Sequence, residues 1–340
     1  MFYFLLVPYE GPTKANYQHS CVLIAEGLKQ AGHEVQGNID YFPDPSGNYT
    51  ICKAPEQTVA AAAAAAAAVA DYVITSCPEN FVEEIRTLTS AKTKLIIIDT
   101  KDEWIRPKSA QFLSVAHRYF MSTAALITPK IKPWVFGITD RILYAAAAKR
   151  PWAERKPAIV WAHRVDNHQL RNLVKDHYTR KNLQVATYLD NFAQPPSSPA
   201  AGPSSPAATH YWNQTGRRHS PNYFEFLANH RYLDAHGGYR QSQNRIVQWD
   251  SWKVWEGFVA GSLVITADLD YYNIRLPYPL IPFKHYIPVR YDQLDISYDR
   301  LFRLPDAEQE RIAVEGHRFV LEHYTSKPLA AYLLDNLAPN

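Results

Sequence analysis

Residues 250–265 read DSWKVWEGFVAGSLVI, and they carry the strongest structural signal in the sequence. Asp250 or Ser251 can cap the N-terminus of a helix over 251–260, and Gly261 ends that helix. The following residues, 262–266, are mostly apolar and β-branched, which is typical of a buried parallel strand. A helix that leads directly into a buried strand is half of an α/β unit, so we expect a parallel sheet covered by helices.

The same alternation of strand and helix extends in both directions from this stretch. Apolar runs at 2–8 and 94–99 predict strands in the first half, and a helix is expected over 108–118. Strand signals begin again at 158–161, after a proline-rich connector. We therefore predict an α/β protein with two Rossmann-like domains that face a cleft. The first domain is predicted over 1–138, a linker over 139–157, and the second domain over 158–305, with a flexible Pro/Ser-rich insertion at 194–208. Terminal helices are predicted over 306–340, and these could pack back across the cleft.

Composition excludes several other classes of protein. The 340 residues carry a net charge of only +3, with basic residues spread along the chain, so no nucleic-acid partner is predicted. The three cysteines have neither metal-ligand nor disulfide spacing, which suits a reducing compartment and predicts a cytoplasmic location. The apolar opening is too short to cross a membrane and is interrupted by Pro8, so no transmembrane segment is expected.

The start of the helix after Asp250 has the features of an anion site. Backbone N–H groups and the positive end of the helix dipole suit a diphosphate, and Lys253 adds a full charge in the first turn. Glu256 lies three residues later on the same face and could accept hydrogen bonds from ribose hydroxyls. Ser251 belongs to the same candidate site. The alternative is an ordinary capped helix with a surface Lys–Glu pair.

Further candidate binding residues lie on either side of this helix. Arg240 and Arg245 follow Gly237-Gly238 and could hold phosphate oxygens through bidentate hydrogen bonds. His285 and Tyr286 stand between prolines, where they could form a rigid pocket wall, although a lone histidine is more often structural.

Two acidic segments complete the set of candidates. Asp102 follows the strand at 94–99, and a carboxylate beyond a strand's carboxyl end can act as general base, as could Asp99 or Glu103 on position alone. Asp268-Leu269-Asp270 has a metal-binding form that occurs often by chance, so no metal site is predicted.

Four blocks of the sequence, in order, resemble the CAP10 family of glycosyltransferases, which includes protein O-glucosyltransferases and capsule xylosyltransferases. The third and fourth blocks are the more specific, and the match covers about the last two-thirds of the chain. The blocks are Ile97 to Trp104, Trp152 to Arg171, Ser251 to Ile265 and Pro282 to Val289.

The resemblance implies a GT-B fold and an inverting, metal-independent hexosyl- or pentosyltransferase. On this basis the N-terminal domain would bind the acceptor, and the C-terminal domain would bind the nucleotide sugar. Asp102 falls on the family's catalytic base, Arg164 on a basic position of the second block, and Lys253 where the family has a phosphate-binding arginine. Lysine binds phosphate as a point charge and lacks the bidentate fork of arginine.

The leading prediction is transfer of a sugar from a nucleotide-diphosphate sugar, expected to be UDP-linked, to a hydroxyl of a glycan or another acceptor. No cofactor is expected, because the nucleotide sugar is itself a substrate. The alternatives are a nucleotide-sugar epimerase or hydrolase of the same fold, a non-catalytic sugar-nucleotide-binding module and, third, a metal-dependent enzyme that uses Asp268-Leu269-Asp270.

Overall fold

The structure is a computed structural model that describes residues 1–7, 12–43, 48–53, 69–90, 93–100, 111–122, 127–146, 150–163, 168–188, 221–242, 245–246 and 249–338. These residues form two compact units. The first unit takes its described residues from Met1–Asp140 and from the segment that begins at Ser326, and the second takes them from 141–191 and 219–325. Asp102, Arg164 and the 194–208 insertion lie outside the described residues.

The described helices and strands alternate along most of the chain. The strands are β1 (Phe2–Leu5), β2 (Val35–Gly37), β3 (Tyr41–Pro43), β4 (Tyr49–Ile51), β5 (Tyr72–Thr75), β6 (Lys94–Asp99), β7 (Arg118–Met121), β8 (Ile131–Pro133), β9 (Lys156–Trp161), β10 (Val185–Thr187), β11 (His230–Asp234), β12 (Arg240–Ser242), β13 (Arg245–Ile246), β14 (Leu263–Ala267) and β15 (Ile287–Val289). The α-helices are α1 (Pro12–Gln30), α2 (Val82–Ser90), α3 (Asp140–Ala145), α4 (Gln169–Arg180), α5 (Pro221–Ala228), α6 (Trp252–Val259), α7 (Leu294–Arg303), α8 (Asp306–His323) and α9 (Ser326–Asp335).

The first unit is built on a parallel six-stranded sheet with the order β2-β1-β5-β6-β7-β8. Its central strands are almost continuously apolar because both faces are buried; in β6 all residues but Lys94 are buried. Helix α1 packs against α9, so a segment from the end of the chain completes this N-terminal unit. The two helices approach closely at Gly27, where an added Cβ would overlap the carbonyl oxygen of Ser326.

The second unit is built on a parallel five-stranded sheet with the order β10-β9-β11-β14-β15. Counted along the chain within the unit, this is the doubly wound order 2-1-3-4-5. The first five strands of the other sheet follow the same order once the separate β3–β4 hairpin is set aside. The direction of winding reverses between β9 and β11, so α4 and α6 cover opposite faces of the sheet.

The structure confirms the α/β class with parallel sheets, and it confirms the helix and strand expected around Gly261. That glycine has a φ of 70°, a left-handed value that suits a residue directly after a helix. The helix expected over 108–118 is wrong in its described part, because residues 111–113 form only a short 3₁₀ turn and 118–121 form strand β7. None of the helices in the described part of the chain is both long enough and apolar enough to cross a bilayer.

Candidate functional site

The candidate site lies at the carboxyl edge of the second sheet, where the winding reverses between β9 and β11. Open α/β sheets bind ligands at this position, because the helices that follow the two strands diverge and leave a crevice. Helix α4 follows β9 and α6 follows β11 after the β12–β13 hairpin, so both N-termini face this edge. The backbone N–H of Leu170, in the first turn of α4, donates to the Gly238 carbonyl oxygen beyond β11 over 3.2 Å.

Helix α6 begins as the sequence predicts, with Ser251 as its N-cap residue in an extended conformation. Ser251 makes no side-chain capping hydrogen bond, and its buried Oγ has no partner among the described residues. Asp250, the other predicted cap, instead accepts a 2.7 Å hydrogen bond on Oδ1 from the Trp255 indole. Lys253 is half-buried in the first turn. The helix therefore presents a cation and an unused hydroxyl at its N-terminus.

Glu256 lies one turn further along α6 and is buried, with 1% of its surface exposed. The Tyr223 hydroxyl, on α5, donates a 2.9 Å hydrogen bond to Glu256 Oε2. The surface Lys–Glu pair, which was the alternative for this helix, is therefore excluded. A buried carboxylate held by a neighbouring hydroxyl is a suitable acceptor for the hydroxyl groups of a ligand.

A hydrogen-bonded chain of buried side chains lies behind the helix N-termini and is centred on Asp234, the last residue of β11. Tyr178 donates to Asp234 Oδ2 over 3.0 Å, and the Tyr178 and Tyr298 hydroxyls are 2.6 Å apart. The Tyr298 hydroxyl is 2.9 Å from His236 Nε2, and the Tyr291 hydroxyl is 3.0 Å from His236 Nδ1. We refer to Asp234, Tyr178, Tyr298, His236 and Tyr291 as the Asp234 chain.

His163 adjoins this chain from the loop after β9. Its Nε2 is 2.9 Å from the Asp234 carbonyl oxygen, so Nε2 carries the hydrogen. His163 Nδ1 is then an acceptor, and it is buried with no hydrogen-bond partner among the described residues. Burial holds the pKa of His163 well below its usual range, and the charges of Arg171 and Lys253 lower that pKa further.

Arg171 and Lys253 thus act on the same buried groups. Burial raises the pKa of Asp234 to about 8, while Tyr178 and these two cations oppose the rise. Burial, followed by the Arg171 charge, lowers the pKa of His236 to about 3. Arg171 lies in the first turn of α4 and is 7% exposed. One cation from each helix N-terminus therefore lies at the switch point.

The other predicted binding residues lie in different surroundings. Arg240 and Arg245 fall on the β12–β13 hairpin between β11 and α6, where the backbone alone is described. His285 stacks on Phe319 of α8 with ring centroids 4.2 Å apart, and its Nδ1 accepts from the Ile281 N–H. Burial lowers the pKa of His285 to about 4. The structure thus groups Ser251, Lys253 and Glu256 on one helix.

Tyr286 and the Asp-x-Asp segment lie near one another beyond β14. The Tyr286 hydroxyl accepts a 3.1 Å hydrogen bond from the Leu269 N–H, and burial raises the pKa of Tyr286. Asp268 Oδ1 accepts from the Tyr271 N–H over 3.1 Å, while Asp270 is exposed. No group of three or more His, Cys, Asp or Glu side chains suited to a metal ion occurs within the described ranges.

The sequence alone did not identify three of these site residues, Arg171, Asp234 and His236. A usable signal was present, because Asp234 directly follows the apolar pair Tyr232-Leu233 and His236 lies two residues further, much as Asp102 follows the strand at 94–99. Arg171 is the last residue of the second block of the family resemblance, and it lies near the start of a helix that the sequence did not predict. Arg164 remains a predicted binding residue and follows His163 directly in the chain.

Two units, each built on a Rossmann-like parallel sheet, are characteristic of the GT-B class of glycosyltransferase folds, and solved structures agree with this fold class. An alpha-glucosyltransferase in complex with UDP and a 13-mer DNA containing a central A:G mismatch matches with a TM-score of 0.60 at 10% identity, over 99% of this chain and 98% of that chain. A glycosyltransferase from Rickettsia africae matches with a TM-score of 0.59 at 11% identity, over 99% and 97% of the two chains. HepE from Anabaena in complex with UDP matches with a TM-score of 0.53 at 10% identity, over 99% of each chain.

These similarities establish the fold class alone, because sequence identities of 10–11% do not show a shared activity or ligand. No protein-family profile matches the chain, and no curated protein matches its sequence.

Proposed function

We propose that the protein is a glycosyltransferase that moves a sugar from a nucleoside-diphosphate sugar to a hydroxyl acceptor. The observation that carries the proposal is Lys253 in the first turn of α6, at the switch point of a parallel sheet, beside a cap residue whose hydroxyl has no partner in the described part of the chain. A helix N-terminus with a cation in its first turn is suited to a diphosphate. Arg171 adds a second cation from α4.

In this reaction an acceptor oxygen attacks the anomeric carbon and the bond from that carbon to the diphosphate oxygen breaks. The electron pair of that bond leaves on the diphosphate. Lys253, Arg171 and the α6 N-terminus would stabilise the developing negative charge, because they are already oriented before the reaction begins. Glu256 would hold the ribose, with Tyr223 fixing the carboxylate. Asp102 remains the predicted general base and takes the acceptor proton.

The narrower predictions from the sequence belong to this proposal. A UDP-linked donor is supported by the UDP in two of the compared structures. Membership of the CAP10 family, inversion, independence of a metal or other cofactor, and a cytoplasmic location rest on the sequence resemblance and composition. The acceptor is proposed to be a glycan or another hydroxyl compound.

The test is calorimetric titration of UDP into the wild-type protein and the Lys253→Ala variant. Loss of a charge-assisted hydrogen bond costs about 1.5–3 kcal/mol, so the affinity of Lys253→Ala for UDP should be about ten- to hundredfold lower. Lys284→Ala removes an exposed lysine in the same unit and should bind UDP as the wild type does.

Equal UDP affinity in Lys253→Ala and the wild type would place the nucleotide elsewhere. Product analysis then separates the function classes. A transferase releases UDP from a UDP-sugar faster when an acceptor is added, a hydrolase releases it without one, and a binding module shows no turnover.

A further inference from the structure

In every hydrogen bond of the Asp234 chain, the donor and the acceptor can exchange roles. When Asp234 is ionised, Tyr291 donates to His236 Nδ1, His236 Nε2 donates to Tyr298, Tyr298 donates to Tyr178, and Tyr178 donates to the carboxylate. When Asp234 is protonated, it donates to Tyr178, and every later hydrogen bond reverses until His236 Nδ1 donates to Tyr291. Neutral His236 allows both arrangements by exchanging tautomers. The four hydrogen bonds within the buried chain therefore persist when Asp234 accepts a proton, and the hydrogen of the Tyr291 hydroxyl is released from His236.

Groups from every packed element bear on the charge of Asp234. Oδ1 is 3.2 Å from His236 Nε2 and 3.5 Å from His163 Nε2, and both histidines are held neutral by burial. The two full charges with the largest effect on the carboxyl group among the described residues are those of Arg171 and Lys253, and both favour its ionised form. The titratable and charged groups facing Asp234 are Tyr178 and Arg171 of α4, His163 after β9, His236 after β11, Lys253 of α6, Tyr298 of α7 and Tyr291 after β15.

We propose that binding of a diphosphate at Lys253 and Arg171 is coupled to uptake of one proton by Asp234. A bound diphosphate neutralises the two cations that favour ionised Asp234 and adds negative charge next to a buried carboxylate. Both changes favour the protonated form of Asp234. The proton comes from the solvent, and the reversal of the Asp234 chain accommodates it. This inference rests on the proposed function for the position of the diphosphate.

The coupling gives the site selectivity for anions. A cation or a neutral ligand at Lys253 and Arg171 would not favour the protonated Asp234, whereas an anion removes the carboxylate charge that would otherwise oppose its binding. The pKa of Asp234 near 8 in the free protein places this exchange within an accessible pH range.

The experiment is calorimetric titration of UDP, and separately of inorganic pyrophosphate, at a pH of about 8.5 in two buffers with different ionisation enthalpies. UDP has lost its phosphate protons at this pH, because the second pKa of a phosphate group is about 6. A bound proton therefore belongs to the protein. With Asp234 roughly three-quarters ionised beforehand, the wild type should take up roughly 0.5–0.8 proton per UDP. Affinity should fall roughly three- to eightfold as the pH rises by one further unit.

Two variants identify the proton acceptor. Asp234→Asn should bind UDP with no proton uptake and no fall in affinity above a pH of about 8. Tyr178→Phe removes a hydrogen bond that favours ionised Asp234, so its Asp234 should already be protonated and proton uptake should be smaller. Asp335→Asn, which changes an exposed carboxylate of the first unit, should retain the full uptake.

The outcomes separate this inference from the proposed function. UDP binding without proton uptake by the wild type, or uptake that persists in Asp234→Asn, overturns the inference and leaves the proposed function intact. Failure of the wild type to bind either UDP or pyrophosphate overturns both. Proton-coupled UDP binding by a protein that transfers no sugar supports the inference and overturns the proposed function.

Discussion

The Glu256 carboxylate shows how one side chain is prepared for a ligand. It is buried within α6, and Tyr223 of α5 holds Oε2. A carboxylate fixed in this way loses little conformational entropy when it accepts hydrogen bonds from a ribose, because its rotamer is already selected. The affinity of the site for the nucleoside part of the ligand should therefore depend on a tyrosine that need not touch the ligand.

We expect Tyr223→Phe to weaken UDP binding by about two- to tenfold, the value of one hydrogen bond of about 0.5–1.5 kcal/mol, and to leave pyrophosphate affinity unchanged. Calorimetry with both ligands measures the difference. Tyr232→Phe is the matched control, since its hydroxyl bonds Gln309 of α8 instead. A parallel loss for UDP and pyrophosphate in Tyr223→Phe would mean that Tyr223 supports the helix rather than the ribose-binding carboxylate.

Among single residues, the sequence predicted the site residues that are close together in the chain and missed those that come together only in the fold. Ser251, Lys253 and Glu256 lie within six residues, so helix geometry alone groups them. The Asp234 chain joins residues as far apart as Tyr178 and Tyr298, and their contact depends on the order of strands in the sheet. No periodicity in a single sequence contains that order, so the sequence did not group these residues.

Among the elements, the contact between α1 and α9 depends on a glycine inside a helix. Replacing a helical glycine by alanine usually stabilises a helix by about 1 kcal/mol. At Gly27 the new methyl group would overlap the backbone of Ser326 and the side chain of Ala330, and a backbone neighbour cannot rotate away. The packing cost should exceed the gain in helix propensity.

Gly27→Ala should therefore destabilise the protein, by about 1–3 kcal/mol as is usual for an overpacked contact. Chemical denaturation followed by circular dichroism measures the change. Lys29→Ala introduces the same residue at an exposed position of α1 and should change the free energy of unfolding by less than about 0.5 kcal/mol. A more stable Gly27→Ala protein would show that α1 and α9 are not held this close in solution.

The elements themselves were predicted well where an apolar run had clear end signals. Strand β6 matches its expected range of 94–99, which begins at Lys94. Helix α8 begins at residue 306, where the terminal helices were expected to start, directly after Pro305. The prediction for the region before β7 was wrong because such end signals are missing there. Residues 111–121 contain no glycine or proline to mark where helical character ends, so the expected helix extended to residue 118, where β7 begins.

For the whole molecule, buried titratable groups set opposing pH dependences of stability. The folded-state pKa values of His236 and His285 are about 3 and 4, below the usual 6.5, so the unfolded chain binds more protons below pH 6.5 and stability falls as the pH falls. Asp234 has a folded-state pKa of about 8 against the usual 3.8. The folded protein therefore binds more protons between those values, and the Asp234 contribution to stability falls as the pH rises.

The two effects predict a maximum in the free energy of unfolding near pH 6.5. Below this pH the protons bound by the histidines of the unfolded chain outnumber the one on Asp234. Above it the Asp234 contribution becomes the larger, with a slope of at most about 1.4 kcal/mol per pH unit before the pH reaches about 8. Urea denaturation at pH values of about 5, 6.5 and 8 measures the curve. Asp234→Asn should lose the decline above pH 6.5, and a decline that persists in that variant would assign it to another group.

The position of α9 also affects the order in which the protein can fold during synthesis. Domains usually fold in the order in which the ribosome makes them. Here the last segment of the first unit, from Ser326 onward, is translated after every segment of the second unit. The second unit therefore has all its segments while α1 still lacks the helix that covers it. The N-terminal unit, although made first, is the last to be completed.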